Sequence, residues 1–285
     1  LILIKDPCII YAMSNNQPDI FKRIKSDAPL VFAHRGASAD APENTMAAFR
    51  LAKEYGANGI ELDVHLSADG HLVIIHDYTL NRTARMPDGK KLKSETPVND
   101  LTLAQLRKYD VGISFSNKYA GEKIPTLREV MDFIGPDVLL NIEIKADMEH
   151  PYRGISAALA LFLYEYSQTK SINNVTVSSF HPLALNCFRR AACELKMNIP
   201  IALFYGTNRE VPWYLRRGQG ALLCNPDILQ PLYSDLAKKK NLSGKNRPII
   251  AWTINDKNAD KELIDKNIAG IITDNPKGIL KLKAK

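Results

Sequence analysis

From Leu30 onward, short apolar runs alternate with stretches whose apolar residues recur at helical spacing, the pattern of consecutive βαβ units. Strands are predicted at residues 31–33, 59–64, 139–144, 175–178, 201–204, 221–224, 249–253 and 270–273. Helices are predicted at 45–55 behind an Asn44 cap, and at 127–134, 155–167, 183–192, 213–217, 231–240 and 259–266. The run 72–75 also reads as extended, but the short link after Val64 cannot hold the crossover of a dozen or more residues that a parallel neighbour needs. It is therefore the returning arm of a hairpin, which leaves eight strands. Eight strands with interleaved helices match a (β/α)8 TIM barrel, and no Gly-x-Gly-x-x-Gly or GxxxxGK loop favours a doubly wound open sheet.

The segment 77–125 interrupts this rhythm, because it is too long for a βα loop and holds only one clear helical pattern, at 103–108. It reads as an insertion on the active face, after the hairpin that extends the second strand and before the second barrel helix. The expected organisation is an N-terminal extension over 1–29, a barrel over 30–280 containing the insertion, and a basic tail over 281–285.

The hairpin carries Ser67-Ala68-Asp69-Gly70-His71, and an Asp-Gly pair favours a type I′ turn. With Asp69 and Gly70 as its central residues, His76 falls opposite Asp63, and directly opposed Cβ atoms lie roughly 5 Å apart. Along the second strand Glu61 and Asp63 stand two residues apart, so both carboxylates share one face while Ile60, Leu62 and Val64 take the other. A strand buried on both sides would not place two acids this way for packing alone.

Composition adds modest constraints. The chain has 285 residues, 45% hydrophobic and 24% charged, which suits two small domains or one large barrel. Its net charge of +7 comes from 38 basic and 31 acidic residues, much of it in Lys238-Lys239-Lys240, Lys245 to Arg247 and the C-terminal tail. Such a charge suits a phosphate-bearing ligand, an anionic membrane surface or nucleic acid, but these runs read as solvated faces, and no nucleic-acid partner is expected. The four cysteines show no CxxC spacing and are expected to be reduced. No stretch approaches the roughly 18 apolar residues of a membrane span. Lys5-Asp6-Pro7 breaks the N-terminal apolar run against a signal peptide, so a cytoplasmic location is expected, with Met13 a candidate native start.

In a TIM barrel, functional groups come from the C-terminal ends of several strands. Here those ends read His34-Arg35-Gly36, Glu61-Leu62-Asp63, Glu143-Ile144-Lys145, Trp252-Thr253-Ile254-Asn255 and Thr273-Asp274. Three converging carboxylates would raise one another's pKa, and a divalent cation with oxygen ligands removes that problem. The competing reading is a buried ion-pair network of Glu143 and Lys145 with Arg35. His34 and His76 are candidates for proton transfer, while Arg35 and Lys145 suit an anion. Trp252 is placed near the mouth, against the carbon skeleton of a ligand or in the core. Glu43 and Asn44 are assigned to the helix start, with Glu43 close enough to orient His34. His65 is placed on the side opposite Asp63 as packing or surface, and His181 at the start of a helix.

Together, His34-Arg35-Gly36, Pro42-Glu43-Asn44-Thr45, Glu61-x-Asp63-Val64, Asp69-Gly70, His76-Asp77, Ile124-Pro125-Thr126-Leu127, Asn141 to Lys145, Trp252-Thr253 and Gly270 to Asp274 resemble the glycerophosphodiester phosphodiesterase family, in the family's order. The resemblance implies a TIM barrel with an insertion after its second strand, and hydrolysis of glycerophosphodiesters to glycerol 3-phosphate and an alcohol using Mg²⁺ or Ca²⁺. It implies Glu61, Asp63 and Glu143 as metal ligands, His34 and His76 as general acid and base, and Arg35 and Lys145 as phosphate contacts. The same chemistry on a longer substrate would make a lysophospholipase D acting at membranes, a second expectation motivated by the basic tail.

Overall fold

The computed structural model describes residues 18–27, 29–146, 152–207, 211, 213–237, 247–255 and 268–283. Its strands are β1 (Leu30–His34), β2 (Gly59–Leu66), β3 (Leu72–Ile74), β4 (Leu139–Ile144), β5 (Val175–Ser179), β6 (Ile201–Tyr205), β7 (Ile228–Pro231), β8 (Ile250–Ala251) and β9 (Gly270–Thr273). The helices among these residues are α1 (Asp19–Asp27), α2 (Met46–Glu54), α3 (Leu103–Leu106), α4 (Leu127–Ile134), α5 (Tyr152–Ser167), α6 (Pro182–Glu194), α7 (Ala221–Cys224), α8 (Tyr233–Ala237) and α9 (Pro276–Lys283).

All strands but β3 run parallel, in the order β7-β6-β5-β4-β2-β1-β9-β8. Parallel bridges Leu229–Ile249 and Leu232–Trp252 join β7 to β8 and close the ring. The fold is a (β/α)8 TIM barrel, as the alternation of patterns predicts. Ile60, Leu62 and Val64 of β2, with Leu140, Ile142 and Ile144 of β4, pack outward against α2, α4, α5 and α6. Leu30, Phe32, Leu139, Ala202, Phe204, Ile228, Ile250 and Ile272 fill the interior. Ile20, Phe21 and Ile24 of α1 pack onto the same cluster, so this helix covers the N-terminal end of the barrel.

Several elements differ from the sequence reading. Residues 221–224, predicted as a strand, form α7, and the seventh parallel position belongs to Ile228–Pro231. A short apolar run does not distinguish strand from helix by periodicity, while β7 carries a glutamine and ends in proline, which weakens its strand signal. Residues 213–217 form turns rather than a helix. The helix predicted from 231 begins at Tyr233 because Pro231 belongs to β7. The helix predicted at 259–266 lies outside the described residues. Residues 281–283 of the expected tail continue α9, and Lys283 Nζ donates to the Pro29 carbonyl at 2.6 Å, at the N-terminal end of the barrel. Thr45, not Asn44, caps α2 by accepting from the Ala48 N–H. Cys187 and Cys224 are free thiols, but Cys193 is disulfide-bonded rather than reduced.

β3 pairs antiparallel with β2, confirming the hairpin, but in another register: Val64 faces Ile74 and Leu66 faces Leu72. Gly70 alone adopts a positive φ, +83°, and its N–H donates to the Ser67 carbonyl. The connection is a three-residue loop with glycine in the left-handed position, a bulged hairpin rather than a two-residue type I′ turn. Ile75 therefore stands beside Asp63, donating to its carbonyl at 3.1 Å. His76 lies in the bend beyond. The insertion that follows has its own small core of Val73, Ile75, Leu80, Ala84, Val98, Leu106, Val111 and Ile124.

The turn after β1 aims the first strand end. Gly36 sits at φ +83°, and a Cβ there would lie 2.7 Å from the Ala48 backbone carbonyl carbon. Both facts favour glycine. Gly36→Ala is expected to destabilise the protein by about 2 kcal/mol or more, measured as a lower urea midpoint at unchanged slope; an unchanged midpoint would show that the turn relaxes freely.

Candidate active site

Alternation along each strand decides what enters the barrel. Continuing the inward set past Phe32 brings His34 to the end of β1, and the inward positions of β2 and β4 bring Glu61, Asp63 and Glu143 to the same level. In the parallel register, His34 pairs with Glu61 and Asp63 with Glu143. One oxygen from each of Glu61, Asp63 and Glu143 lies within 4.8 Å of the others, and all three residues are buried.

Two cations stand against these three acids. Lys145 Nζ lies 2.9 Å from Glu143 Oε1 and 3.4 Å from Asp63 Oδ1, and Arg35 Nε lies 3.3 Å from Asp63 Oδ2. The ion-pair network considered from sequence is therefore present, extended to Asp63, but it is short by one positive charge. Among the described residues, Glu61 receives one hydrogen bond, from the Arg35 backbone N–H to Oε2 at 3.2 Å. Its Oε1 is buried with no hydrogen bond from the described residues, as is Asp63 Oδ1. Burial, reinforced by Asp63 and Glu143, pushes Glu61 well above the usual carboxylate range. Burial also raises Glu143, with Lys145 opposing it. For Asp63, burial is overcome by Lys145 and Arg35, which hold it far below that range. Oxygen ligands, burial and an uncompensated negative charge are what a hard divalent cation requires.

The backbone around Arg35 is specialised. Arg35 and Asn44 both adopt left-handed conformations, at φ 55° and 56°, and the Asn44 N–H donates to the Arg35 carbonyl at 2.9 Å. Asn44 Nδ2 then donates to Asp63 Oδ2 at 2.7 Å. Non-glycine residues in this region carry strain that tends to gather at functional sites. Asn44 thus belongs to the acid cluster rather than to the helix start, a role that its position before α2 concealed.

Each histidine has a carboxylate on Nδ1. His34 Nδ1 is 2.5 Å from Asp274 Oδ1, and Asp274 is itself held by Ser38 and Asn255. Burial pushes the His34 pKa down, with Asp274 acting against it. His76 Nδ1 is 2.6 Å from Asp77 Oδ1. Asp274 was legible as the polar end of β9, yet its partner stands 240 positions away in sequence.

Glu43 does not orient His34. It binds Arg35 at 3.0 Å and Arg82 at 2.6 Å, and Arg82 also binds Asp77 at 2.6 Å. An ionic chain, Arg35–Glu43–Arg82–Asp77–His76, ties the first strand end to the insertion. His65, two positions after Asp63, shares its side of the strand instead of opposing it. It is buried, its Nε2 lies 3.1 Å from the His76 carbonyl, and its ring meets Tyr78 edge-on. Burial pushes its pKa down to about 4.

Trp252 is half-buried, donating Nε1 to the Gln230 carbonyl at 2.8 Å and meeting Phe180 and Phe204 edge-on at 5.0 and 5.6 Å. His181 is the N-cap of α6. His34, Arg35, Ser38, Glu43, Asn255 and Asp274 line a cleft of about 460 Å³ at the mouth.

Fold and site together define a TIM-barrel enzyme with a buried acidic centre at the C-terminal strand ends, flanked by two carboxylate-paired histidines. Residues 34–278 match the model of the glycerophosphoryl diester phosphodiesterase family. The chain is 39% identical over 259 residues to a glycerophosphodiester phosphodiesterase of Caldanaerobacter subterraneus subsp. tengcongensis, covering 90% of this chain and 98% of that one. It superposes with TM-score 0.73, at 26% identity, on an Oleispira antarctica phosphodiesterase solved with the product sn-glycerol-3-phosphate, covering 92% and 99% of the two chains. A glycerophosphodiester phosphodiesterase of Thermotoga maritima superposes with TM-score 0.65 at 28% identity, covering 89% and 98%. The chain belongs to the glycerophosphoryl diester phosphodiesterase family, and is a phosphoric diester hydrolase.

Because Asp274 raises the His34 pKa, Asp274→Asn should move the His34 imidazole titration, followed by NMR, further toward acid. An unmoved or upward-shifted titration would remove Asp274 as the group that sets the protonation of His34.

Proposed function

We propose that this enzyme hydrolyses glycerophosphodiesters to glycerol 3-phosphate and an alcohol, with His34 and His76 as the general acid and base. Glu61, Asp63 and Glu143 would hold a divalent cation, Mg²⁺ or Ca²⁺. The observation that carries the reading is the set of three buried carboxylates within 4.8 Å of one another, set beside two histidines whose Nδ1 atoms are each engaged by an aspartate. When bound, the cation supplies charge neutralisation for the phosphate oxygens as the transition state forms.

The chain's own groups account for the rest. Arg35 and Lys145, which already compensate the acids, present the positive charge that holds the phosphodiester, with the guanidinium offering a planar fork to two oxygens. Asp274 and Asp77 accept from Nδ1 of His34 and His76, so that Nε2 is the atom of each ring that exchanges a proton, bare in the base and protonated in the acid. His34 Nε2 points toward Glu61, 3.9 Å from Oε2. One histidine takes a proton from the attacking group, which is either water, giving glycerol 3-phosphate directly, or the adjacent glycerol hydroxyl, giving a cyclic phosphate that a water molecule then opens to glycerol 3-phosphate. The other delivers a proton to the departing alkoxide. Trp252 offers an apolar ring face to the carbon skeleton of the substrate.

The test is release of glycerol 3-phosphate from glycerophosphocholine. His34→Ala and His76→Ala are each expected to lower kcat by about 100-fold or more while keeping the native circular dichroism spectrum. Near-normal turnover in both variants would refute the assignment.

A further inference from the structure

Arg82 belongs to the insertion and takes no part in the steps proposed above, yet its ion-pair partners among the described residues, Asp77 and Glu43, each hold a residue that does. Its Nε and Nη2 donate to Oδ2 and Oδ1 of Asp77 at 2.6 and 3.0 Å. Its Nη1 and Nη2 donate to Oε2 and Oε1 of Glu43 at 2.8 and 2.6 Å. The guanidinium therefore makes two bidentate forks, and Nη2 is common to both. The two oxygens that share Nη2 are the two that engage the site: Asp77 Oδ1 accepts from His76 Nδ1 at 2.6 Å, and Glu43 Oε1 from Arg35 Nη1 at 3.0 Å.

A fork fixes the plane of a carboxylate as well as its position. Asp77 depends on this, because it follows His76 directly in the chain and its side chain is 25% exposed, so the covalent link alone does not aim Oδ1 at the ring. Burial of Asp77 is overcome by the hydrogen bonds from His76 and Arg82, which hold it far below the usual carboxylate range and keep it an acceptor. For Glu43 too, burial is overcome by Arg82 and Arg35. The aspartate of the other histidine is served differently: Asp274 accepts from the neutral donors Ser38 Oγ at 3.0 Å and Asn255 Nδ2 at 2.6 Å.

Folding makes little demand on Arg82. Its side chain is 48% exposed, and exposed ion pairs add little to stability. The turn that carries it is set by other groups: Leu80 and Ala84 are fully buried, the Ala84 N–H donates to the Leu80 carbonyl, and Asn81 bonds the Ser94 carbonyl and the Thr96 N–H. Removing the guanidinium should free Asp77 and Glu43 while the backbone stays in place.

We propose that Arg82 is a positioning residue shared by the two halves of the site, aiming His76 through Asp77 and Arg35 through Glu43. This rests on the roles proposed above for His76 and Arg35 in phosphodiester hydrolysis. Both forks need the planar guanidinium, so a lysine, with the same charge on a single nitrogen, cannot replace it.

The experiment is steady-state hydrolysis of glycerophosphocholine by Arg82→Ala, Arg82→Lys, Asp77→Asn and the double variant Arg82→Ala/Asp77→Asn, beside His76→Ala. Arg82→Ala should lower kcat by about tenfold or more through His76 and raise KM several-fold through Arg35, with a Tm within about 3 °C of the parent. Arg82→Lys should stay several-fold below the parent in kcat. Added methylguanidinium should restore kcat to Arg82→Ala but not to Asp77→Asn. Because Arg82 reaches His76 through Asp77, kcat of the double variant should fall no more than about twofold below that of Asp77→Asn alone. Parental kcat and KM in Arg82→Ala, with His76→Ala inactive, would overturn the proposal and leave the role of His76 standing. A kcat loss that multiplies with that of Asp77→Asn, or that lysine repairs fully, would overturn it as well. An Arg82→Ala chain without the native circular dichroism spectrum would assign Arg82 to folding instead. Turnover retained in His76→Ala would refute the acid–base role itself, and the positioning of His76 with it.

Discussion

Three carboxylates buried side by side at the end of a β-barrel, with two cations to balance them, are the constraint around which the upper half of this molecule is organised. Like charges in a medium of low dielectric repel strongly, and burial alone disfavours the ionised form. The chain answers with Lys145 between Glu143 and Asp63, with Arg35 on Asp63, and with Asn44 donating to the same carboxylate. Glu61 is left with one orphan oxygen. Stability would be better served by an apolar residue there, so the acid is retained at a cost, as expected of a site built for a ligand.

The surrounding fold is shaped by that constraint. Arg35 reaches the acids because a left-handed residue and a glycine turn follow directly after β1. The insertion is anchored by an ionic chain from Glu43 through Arg82 to Asp77, which ties His76 to the end of β1 through Arg35. The His76 backbone is fixed in turn by His65 beneath it. Neither histidine is positioned by its own strand alone. His34 depends on β9 through Asp274, and His76 on a bend beyond the hairpin.

Much of this was legible in the sequence. The period-two placement of Glu61 and Asp63 against Ile60, Leu62 and Val64 announces its inward face, and the strand ends name Glu143, Lys145, His34 and Arg35. The parallel register then brings these groups together, because neighbouring strands in a barrel align their ends. What the sequence hid depends on contacts between distant segments or on turn geometry. Asn44 and Glu43 look like helix-start residues until Asp63 and Arg82 are placed beside them. The bulged loop at Gly70 changed the hairpin register by one residue, which local turn statistics do not resolve. Ala221–Cys224 reads as the strand that Ile228–Pro231 forms, because a four-residue apolar run carries no period of its own.

A bound cation would relieve the repulsion among Glu61, Asp63 and Glu143, and thermal unfolding reads this most directly. After chelation, Mg²⁺ or Ca²⁺ should raise the Tm in proportion to the logarithm of its concentration above saturation. Glu61→Gln should raise the Tm of the chelated protein, by removing one of the clashing acids, and should abolish the increment from metal. A chelated protein whose Tm ignores both cations, or a Glu61→Gln variant that keeps the full metal increment, would contradict it.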